Sequence, residues 1–202
     1  MADEKKPIFL AIHHHKAMGH LAREHITDIV NFSISKLIKL RLPWLVLGLV
    51  GGMFATEIVK FFEDTLQRKL TLAFFIPVIA YMSDAVGTQT ETLFIRALSI
   101  EKINIRKYLI KEVSIGLVMG IFMGLMMYAY AAFAFDDLSV AAIVGLAMII
   151  NATIAVLIAT HVPLLLRKFG VDPAVGAGPF TTIVQDILSL LVYFAVAYLI
   201  IF

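Results

Sequence analysis

The residue that most directly indicates chemistry is Asp186, a carboxylate in the last apolar segment of the chain. It precedes sixteen residues without a charge, Ile187 to Phe202. If a helix begins near Pro179, Asp186 lies about 10 Å along it, well inside a hydrocarbon core roughly 30 Å thick. A carboxylate at that depth is costly unless water, a partner group or a cation compensates it. A bound cation is therefore one chemistry to consider.

A second copy of the chain offers Asp186 a partner. A two-fold axis normal to the membrane would bring two Asp186 carboxylates together. Magnesium dehydrates reluctantly and is often held through its waters by one or two carboxylates. One intramembrane Asp per chain is therefore sufficient for a divalent-cation site in a homodimer. The alternative is an Asp186 that is protonated or paired inside its own subunit.

Other polar side chains within or beside the apolar segments are functional candidates by default. They are Glu57, Asp84, Gln89, Thr90, Glu91, Arg96, Asn151, His161, Asp172 and Gln185. Asp84 and Glu91, seven residues apart, share a helix face and could couple protons or sodium, or could instead pair with nearby bases. Glu57 could also couple protons or sodium, or it could simply reach water at the outer end of the first span. His161 is interpreted as a hydrogen-bonded packing residue. The excess of acids favours a cationic permeant.

The composition identifies the environment that must position these residues. Of 202 residues, 60% are hydrophobic and only 16% are charged, whereas soluble domains have roughly 25% charged residues. Long apolar runs cause this imbalance, so the chain is predicted to be a multi-pass protein of the cell membrane. A net charge of +2 does not suggest a nucleic-acid partner, and no cleaved leader is expected. The cluster His13 to His15 could bind a soft metal or be an exposed terminus.

The predicted fold is an all-α integral membrane protein with five transmembrane helices per subunit. The spans are expected at about residues 42–59, 70–94, 108–135, 138–166 and 178–202. Residues 1–41 form a cytoplasmic segment in which 21–41 have the pattern of an amphipathic helix, and residues 42–202 form the pore domain. With the N-terminus inside, fourteen of the seventeen basic residues are cytoplasmic, which predicts an N-in, C-out orientation.

Two sets of glycines are interpreted as helix-packing features. Gly116, Gly120 and Gly124 are four residues apart, as are Gly48 and Gly52. Glycines at this spacing line one helix face and allow close helix contact in lipid.

Several motifs together carry a resemblance to a known family. In the fifth span they are Asp172-Pro173-Ala174, Gly178-Pro179-Phe180-Thr181-Thr182 and Asp186. Elsewhere they are Pro43-Trp44-Leu45, Phe62-Glu63, Pro77, Gly87-Thr88-Gln89, Arg96, Asn151 and Val162-Pro163-Leu164-Leu165. Residues 42–202 resemble the transmembrane domain of the MgtE family of magnesium channels and transporters. The fifth-span motif is the most specific part.

The resemblance implies a homodimer of five-helix subunits with a pore at the dimer axis. It implies that paired Asp186 residues hold hydrated Mg²⁺, helped by the backbone carbonyl of Thr182. Asp172 would lie near the cytoplasmic mouth of the pore, and Asn151 would face the pore from the fourth span. The chain departs from the family at Asp84, where an acid precedes the position of a usual amide, and at Ser189, where glycine is common.

The resemblance also implies a gating region, an acidic helical domain with paired CBS domains, for which residues 1–41 leave no room. Either a separate regulatory chain supplies the gating or the pore is regulated in a different way. The function expected is Mg²⁺ or other divalent-cation transport by a homodimer in contact with membrane lipid, with no cofactor and no enzymatic activity. The alternatives are a proton- or sodium-coupled exchanger, with Asp84, Gln89, Glu91, Glu57 and Ser189 as pore-lining or coupling residues, and a non-transporting membrane scaffold. An intramembrane aspartyl enzyme using Asp84 and Asp186 is the least favoured.

Overall fold

The computed structural model describes residues 33–100, 103–170 and 173–202, and every regular element in these residues is helical. The elements are α1 (Ile34–Phe61), α2 (Glu63–Arg68), a 3₁₀ segment (Leu70–Phe75), α3 (Ile76–Ile100), α4 (Ile105–Phe135), α5 (Leu138–Lys168) and α6 (Pro173–Ile201). The histidine cluster, Asp172 and most of the predicted amphipathic helix lie outside the described residues.

The five predicted spans are confirmed as five helices long and apolar enough to cross a membrane. These spans are Ile34–Phe61, Leu70–Leu98, Ile105–Phe135, Leu138–Lys168 and Ala177–Ile201. The first begins earlier than expected, and Pro43 lies inside α1 rather than at its start. Apolar helices tolerate an internal proline when nearby groups satisfy the freed carbonyl. The orientation of the spans stays a prediction from the charge distribution.

The chain divides into two compact units, one ending at Val46 and one comprising Leu47–Phe202. In the described part of the first unit, the apolar side chains of Ile34, Ile38 and Leu42 are exposed. The second unit contains the helix bundle and all the candidate site residues that the structure describes.

Helix α5 lies at the centre of the bundle and contacts α3, α4 and α6. Its buried positions are mostly Ala, Val and Gly, so neighbouring helices can approach closely. The glycines of α4 face it: a Cβ added to Gly116 would lie 2.9 Å from Val156 Cγ2, and one added to Gly124 would lie 2.7 Å from the Gly145 carbonyl oxygen. The packing interpretation is therefore confirmed for α4.

Helix α1 packs differently within the second unit. A Cβ added to Gly51 would lie 2.6 Å from Ile183 Cγ2, whereas Gly48 and Gly52 have no atom within 4 Å. The packing interpretation of Gly48 and Gly52 therefore finds no contact within the described subunit. Leu49 and Met53 expose about two thirds of their surface, at 66% and 64%. Such an apolar surface is suited to lipid or to another subunit.

Two contacts join the second half of α6 to Phe62, directly after α1, and to Leu72 in the 3₁₀ segment. The Phe62 and Phe194 rings stack with centroids 5.0 Å apart. The Tyr193 hydroxyl donates a hydrogen bond of 2.8 Å to the Leu72 carbonyl, which satisfies a buried polar group. These contacts anchor α6 at the end opposite to Pro173 and so hold the helix that carries Asp186.

The turn between α4 and α5 is defined by two adjacent acids. Asp136 adopts a left-handed conformation with φ 50°, which Asp tolerates better than most residues. Asp137 caps α5 by accepting hydrogen bonds of 3.0 Å from the Ser139 N–H and 3.2 Å from the Val140 N–H. Lys69 forms an ion pair with the same carboxylate. The hydrogen bond from Lys69 is the main cause that lowers the pKa of Asp137; partial burial opposes it.

Candidate cation site

The polar residues of α6 form two adjacent lines along the helix. Thr181, Gln185 and Ser189 are spaced by four residues and are almost completely buried, with at most 2% of each residue exposed. Thr182 and Asp186, also four apart, are only partly covered in the subunit. Residues four apart lie above one another on a helix, so one line packs into the bundle and its neighbour borders it. We call these the buried line and the partly covered line.

The partly covered line is joined to α3 through Asp84. The Thr182 hydroxyl donates a hydrogen bond of 3.0 Å to Asp84 Oδ1. The Asp84 carboxyl also lies close enough to Asp186 and Glu91 for their charges to interact. Three acids from two helices thus share one region of the protein. This is the arrangement the sequence could not specify, because α3 and α6 are about a hundred residues apart in the chain.

The buried line is joined to α3 by a glycine. A Cβ at Gly87 would lie 1.7 Å from Gln185 Nε2, so the glutamine amide occupies the space that any other residue would fill. The same nitrogen donates a hydrogen bond of 3.3 Å to the Ala155 carbonyl of α5. Gln185 therefore ties three helices together next to Asp186. Its other amide atom, Oε1, is buried without a hydrogen-bond partner among the described residues.

A second amide holds the next turn of α6. Asn151 Nδ2 donates a hydrogen bond of 3.2 Å to the Ser189 carbonyl, and Asn151 is 2% exposed. The Ser189 hydroxyl in turn donates a hydrogen bond of 3.0 Å to the Asp186 carbonyl. Asn151 and Ser189 thus position the backbone around Asp186. That Asn151 also faces a bound ion stays a prediction.

The remaining candidates differ in their surroundings. Glu91 is 7% exposed, and the Thr181 hydroxyl faces its carboxyl without meeting the geometry of a hydrogen bond. Gln89 is exposed on α3. Glu57 forms an ion pair of 3.5 Å with Lys60, and both side chains are about two thirds exposed, at 67% and 71%. The structure therefore brings Asp84, Glu91, Thr182 and Asp186 together and leaves Glu57 outside that group.

The donor set suits a hydrated cation better than a stripped one. Within the described residues of one chain, no three His, Cys, Asp or Glu side chains are arranged to hold a metal ion directly. Hydrated Mg²⁺ does not need three, because most of its ligands remain water and one or two carboxylates are enough. Asp186 and Asp84, with the carbonyl and hydroxyl oxygens of Thr182 beside them, supply the oxygen atoms that such an ion prefers.

One buried acid was missed by reasoning from the sequence. Glu112 in α4 is 8% exposed and lies one turn from Tyr108. The sequence did contain a signal, because Glu112 continues the four-residue spacing of Gly116, Gly120 and Gly124 and so belongs to the face packed against α5.

His161 is exposed, and its Nδ1 lies 2.8 Å from the Leu157 carbonyl of its own helix, which fits a hydrogen-bonded residue without a ligand role.

The fold and this arrangement define a multi-pass helical membrane protein with acidic residues concentrated between two of its spans. The family model for MgtE, described as a divalent cation transporter, matches residues 76–196. The chain belongs to the MgtE family.

Three relatives are called magnesium transporter MgtE. The proteins of Bacillus subtilis and Enterococcus faecalis are each 33% identical over 160 residues, and that of Thermus thermophilus is 31% identical over the same length. The match covers 78% of this chain but only 35% to 36% of each relative. The chain therefore spans about a third of the length of the proteins it resembles, and the family-model match lies within residues 42–202, the predicted pore domain.

Proposed function

We propose that the protein transports a divalent cation across the membrane through a homodimeric pore and that Mg²⁺ is the preferred ion. The observation that carries the proposal is the position of Asp186. Its carboxylate lies in an apolar helix, partly covered by its own subunit and in the field of another acid, Asp84. A carboxylate in such surroundings needs a compensating charge, and a cation between two copies of Asp186 provides it.

The ion is proposed to keep most of its water shell. In this proposal the two Asp186 carboxylates and the Thr182 carbonyls bind the ion through water, Asp172 attracts cations at the cytoplasmic mouth, and Asn151 lines the path from α5. The family description and the names of the relatives support a divalent cation as the permeant. An inward voltage would drive entry, since two charges crossing 100 mV gain about 4.6 kcal/mol.

The test is a magnesium-flux assay in liposomes with the Asp186→Asn variant, which keeps the size of the side chain and removes its charge. We expect Mg²⁺ flux to vanish or to lose its preference for Mg²⁺ over Ca²⁺. The matched control is Asp136→Asn, an exposed acid in a turn that Asn also tolerates, which should conduct like the parent protein. Unchanged Mg²⁺ flux in Asp186→Asn would contradict the pore assignment.

The dimer has its own test. Crystals soaked in Mn²⁺ should give anomalous density between two Asp186 side chains on a two-fold axis. A well-ordered dimer without that density would favour a membrane scaffold, in which the polar residues serve packing alone. In that case the protein would have no pore for a regulatory chain to gate.

A coupled exchanger is the second candidate, and one observation favours it. A channel needs acids along its path, but Glu91, although grouped with Asp84, is buried at 7% exposure, whereas Thr182 and Asp186 are only partly covered. Intramembrane acids of this kind serve proton relays in transporters.

A further inference from the structure

The first turns of α1 carry an apolar groove that contains one charged side chain. The groove has a volume of about 370 Å³, and its lining residues follow one face of the helix: Ile34, Leu37, Ile38, Arg41, Leu42 and Leu45. Four of the five aliphatic residues expose more than half of their surface. All six belong to the first compact unit. Aliphatic side chains around a guanidinium suit a ligand that has both a hydrocarbon part and an anionic group.

The charge of this part of the chain has one sign. Residues 33–56 contain three basic residues and no acidic residue. Lys36 already takes part in another interaction, whereas Lys39 and Arg41 are exposed. Within the described residues, no acid forms an ion pair with Arg41. The groove therefore presents positive charge that an anionic ligand can neutralise.

Arg41 also lies at the predicted edge of the hydrocarbon core. Residues 42–56 contain no charged side chain, and Trp44 is of the type that is enriched at the membrane interface. Lipid phosphates lie at the same depth, which is where basic residues next to a span meet anionic headgroups. Exposed aliphatic residues just before such a span are stabilised when acyl chains cover them.

We propose that this groove of α1 binds an anionic phospholipid. The Arg41 guanidinium binds the lipid phosphate, for which its planar set of N–H donors is suited. The aliphatic side chains of the groove pack against an acyl chain, and Lys39 adds positive charge from the other side of the helix. The inference concerns a lipid site in the first unit and does not depend on the proposed transport of a divalent cation.

The charge on Arg41 favours a lipid over a second copy of the same groove. A two-fold contact brings identical surface patches together. Two grooves that faced each other would therefore bring two Arg41 side chains close to one another, and such like-charge contacts are unfavourable. An anionic phospholipid covers the same aliphatic residues and supplies the opposite charge.

The experiment uses the only tryptophan of the chain, Trp44, as a probe. It follows Arg41 by three residues, so the two side chains are neighbours on the helix surface. The full chain is reconstituted in vesicles of phosphatidylglycerol and phosphatidylcholine in which one lipid or the other is brominated, because bromine quenches tryptophan fluorescence on contact. We expect phosphatidylglycerol to be preferred by about fivefold, the ratio that one basic side chain supplies near an anionic surface. Equal quenching by the two lipids in the parent protein would overturn the proposal.

Variants of α1 test which charge is responsible. Arg41→Gln should bring the ratio of the two lipids close to one, whereas Arg41→Lys should keep most of the preference because it keeps the charge. The matched control is Lys60→Gln, which removes one positive charge from an exposed side chain in the last turn of the same helix and should leave the ratio unchanged. An equal loss of preference in Lys60→Gln and Arg41→Gln would assign the effect to net charge and overturn the site.

Two further measurements test the groove and its occupant. Glycerophosphoglycerol, which is the same headgroup without acyl chains, should not relieve the quenching by brominated phosphatidylglycerol, and relief would overturn the role of the aliphatic residues. The protein-to-lipid ratio is then varied at constant lipid composition. Quenching that falls as the protein becomes more concentrated, without regard to the headgroup, would show that a second copy covers the groove and would overturn the lipid assignment.

Discussion

The two lines of polar residues on α6 differ in how far their side chains are buried, although they lie side by side on one helix. Thr181, Gln185 and Ser189 are buried, and Gln185 and the Ser189 backbone are fixed by contacts to α3 and α5. Thr182 and Asp186, one residue further along in each turn, are partly covered and meet a second acid. The difference indicates that the buried line sets the position of the helix, and it leaves the partly covered line as the place where we propose that an ion binds. Substitutions should therefore separate stability from transport.

The largest effect on stability is expected at Gly87. In Gly87→Ala the new Cβ would lie 1.7 Å from Gln185 Nε2, and overpacking of this kind costs about 1 to 3 kcal/mol or more. Thermal unfolding in detergent, followed by loss of the monodisperse elution peak, measures the change. The double variant Gly87→Ala with Gln185→Ala should recover part of the loss, because the colliding amide is gone. A Gly87→Ala protein as stable as the parent would show that the Gln185 amide is not held in this space.

Asn151 should have the next largest effect. Asn151→Leu removes the hydrogen bond to the Ser189 carbonyl and leaves that buried oxygen without this donor, which costs about 1 to 3 kcal/mol. The melting temperature in detergent should fall. Residual flux per folded molecule should change less than in Asp186→Asn, and a variant that melts normally but conducts nothing would instead assign Asn151 directly to the ion path.

These positions also show how far the sequence leads. Asp186 and the five spans could be predicted, because charge and long apolar runs are local signals with a simple physical cost. The contact of Gly87 with Gln185 could not, since helical spacing shows which residues share a face but not which distant helix meets that face. The start of α1 was misplaced for a related reason: the amphipathic pattern and the span share one helical period, and Pro43 was the only visible boundary.

Asp84 should affect selectivity more than stability. Asp84→Asn keeps an oxygen that can accept the 3.0 Å hydrogen bond from Thr182 but removes the charge near Asp186. We expect the melting temperature to change little and the ratio of Mg²⁺ to Ca²⁺ flux to change by about threefold to tenfold, equivalent to about 0.7 to 1.4 kcal/mol. Thr182→Val, which breaks the hydrogen bond and keeps the charge, is the matched comparison. Identical ion selectivity in Asp84→Asn and the parent would remove Asp84 from the site.

The smallest effect is expected far from both lines, at the ion pair between Lys69 and Asp137. Because Lys69 lowers the pKa of Asp137, the folded protein gains stability above the ordinary Asp pKa and loses it as the pH falls through the lowered value. Asp137→Asn preserves a good helix cap and removes the charge. At pH 7 it should cost only about 0.5 kcal/mol, since both side chains are partly exposed.

That cost should decrease as the pH is lowered from 5 toward 3, which melting curves of the parent and of Asp137→Asn in detergent can follow. Asp136→Asn, next to it in the turn and without the ion pair, should show no such trend. A cost that is independent of pH would mean that the Asp137 carboxylate contributes as a cap alone. In either case Mg²⁺ flux per folded molecule should match that of the parent, because Lys69 and Asp137 lie outside the group of residues around Asp186.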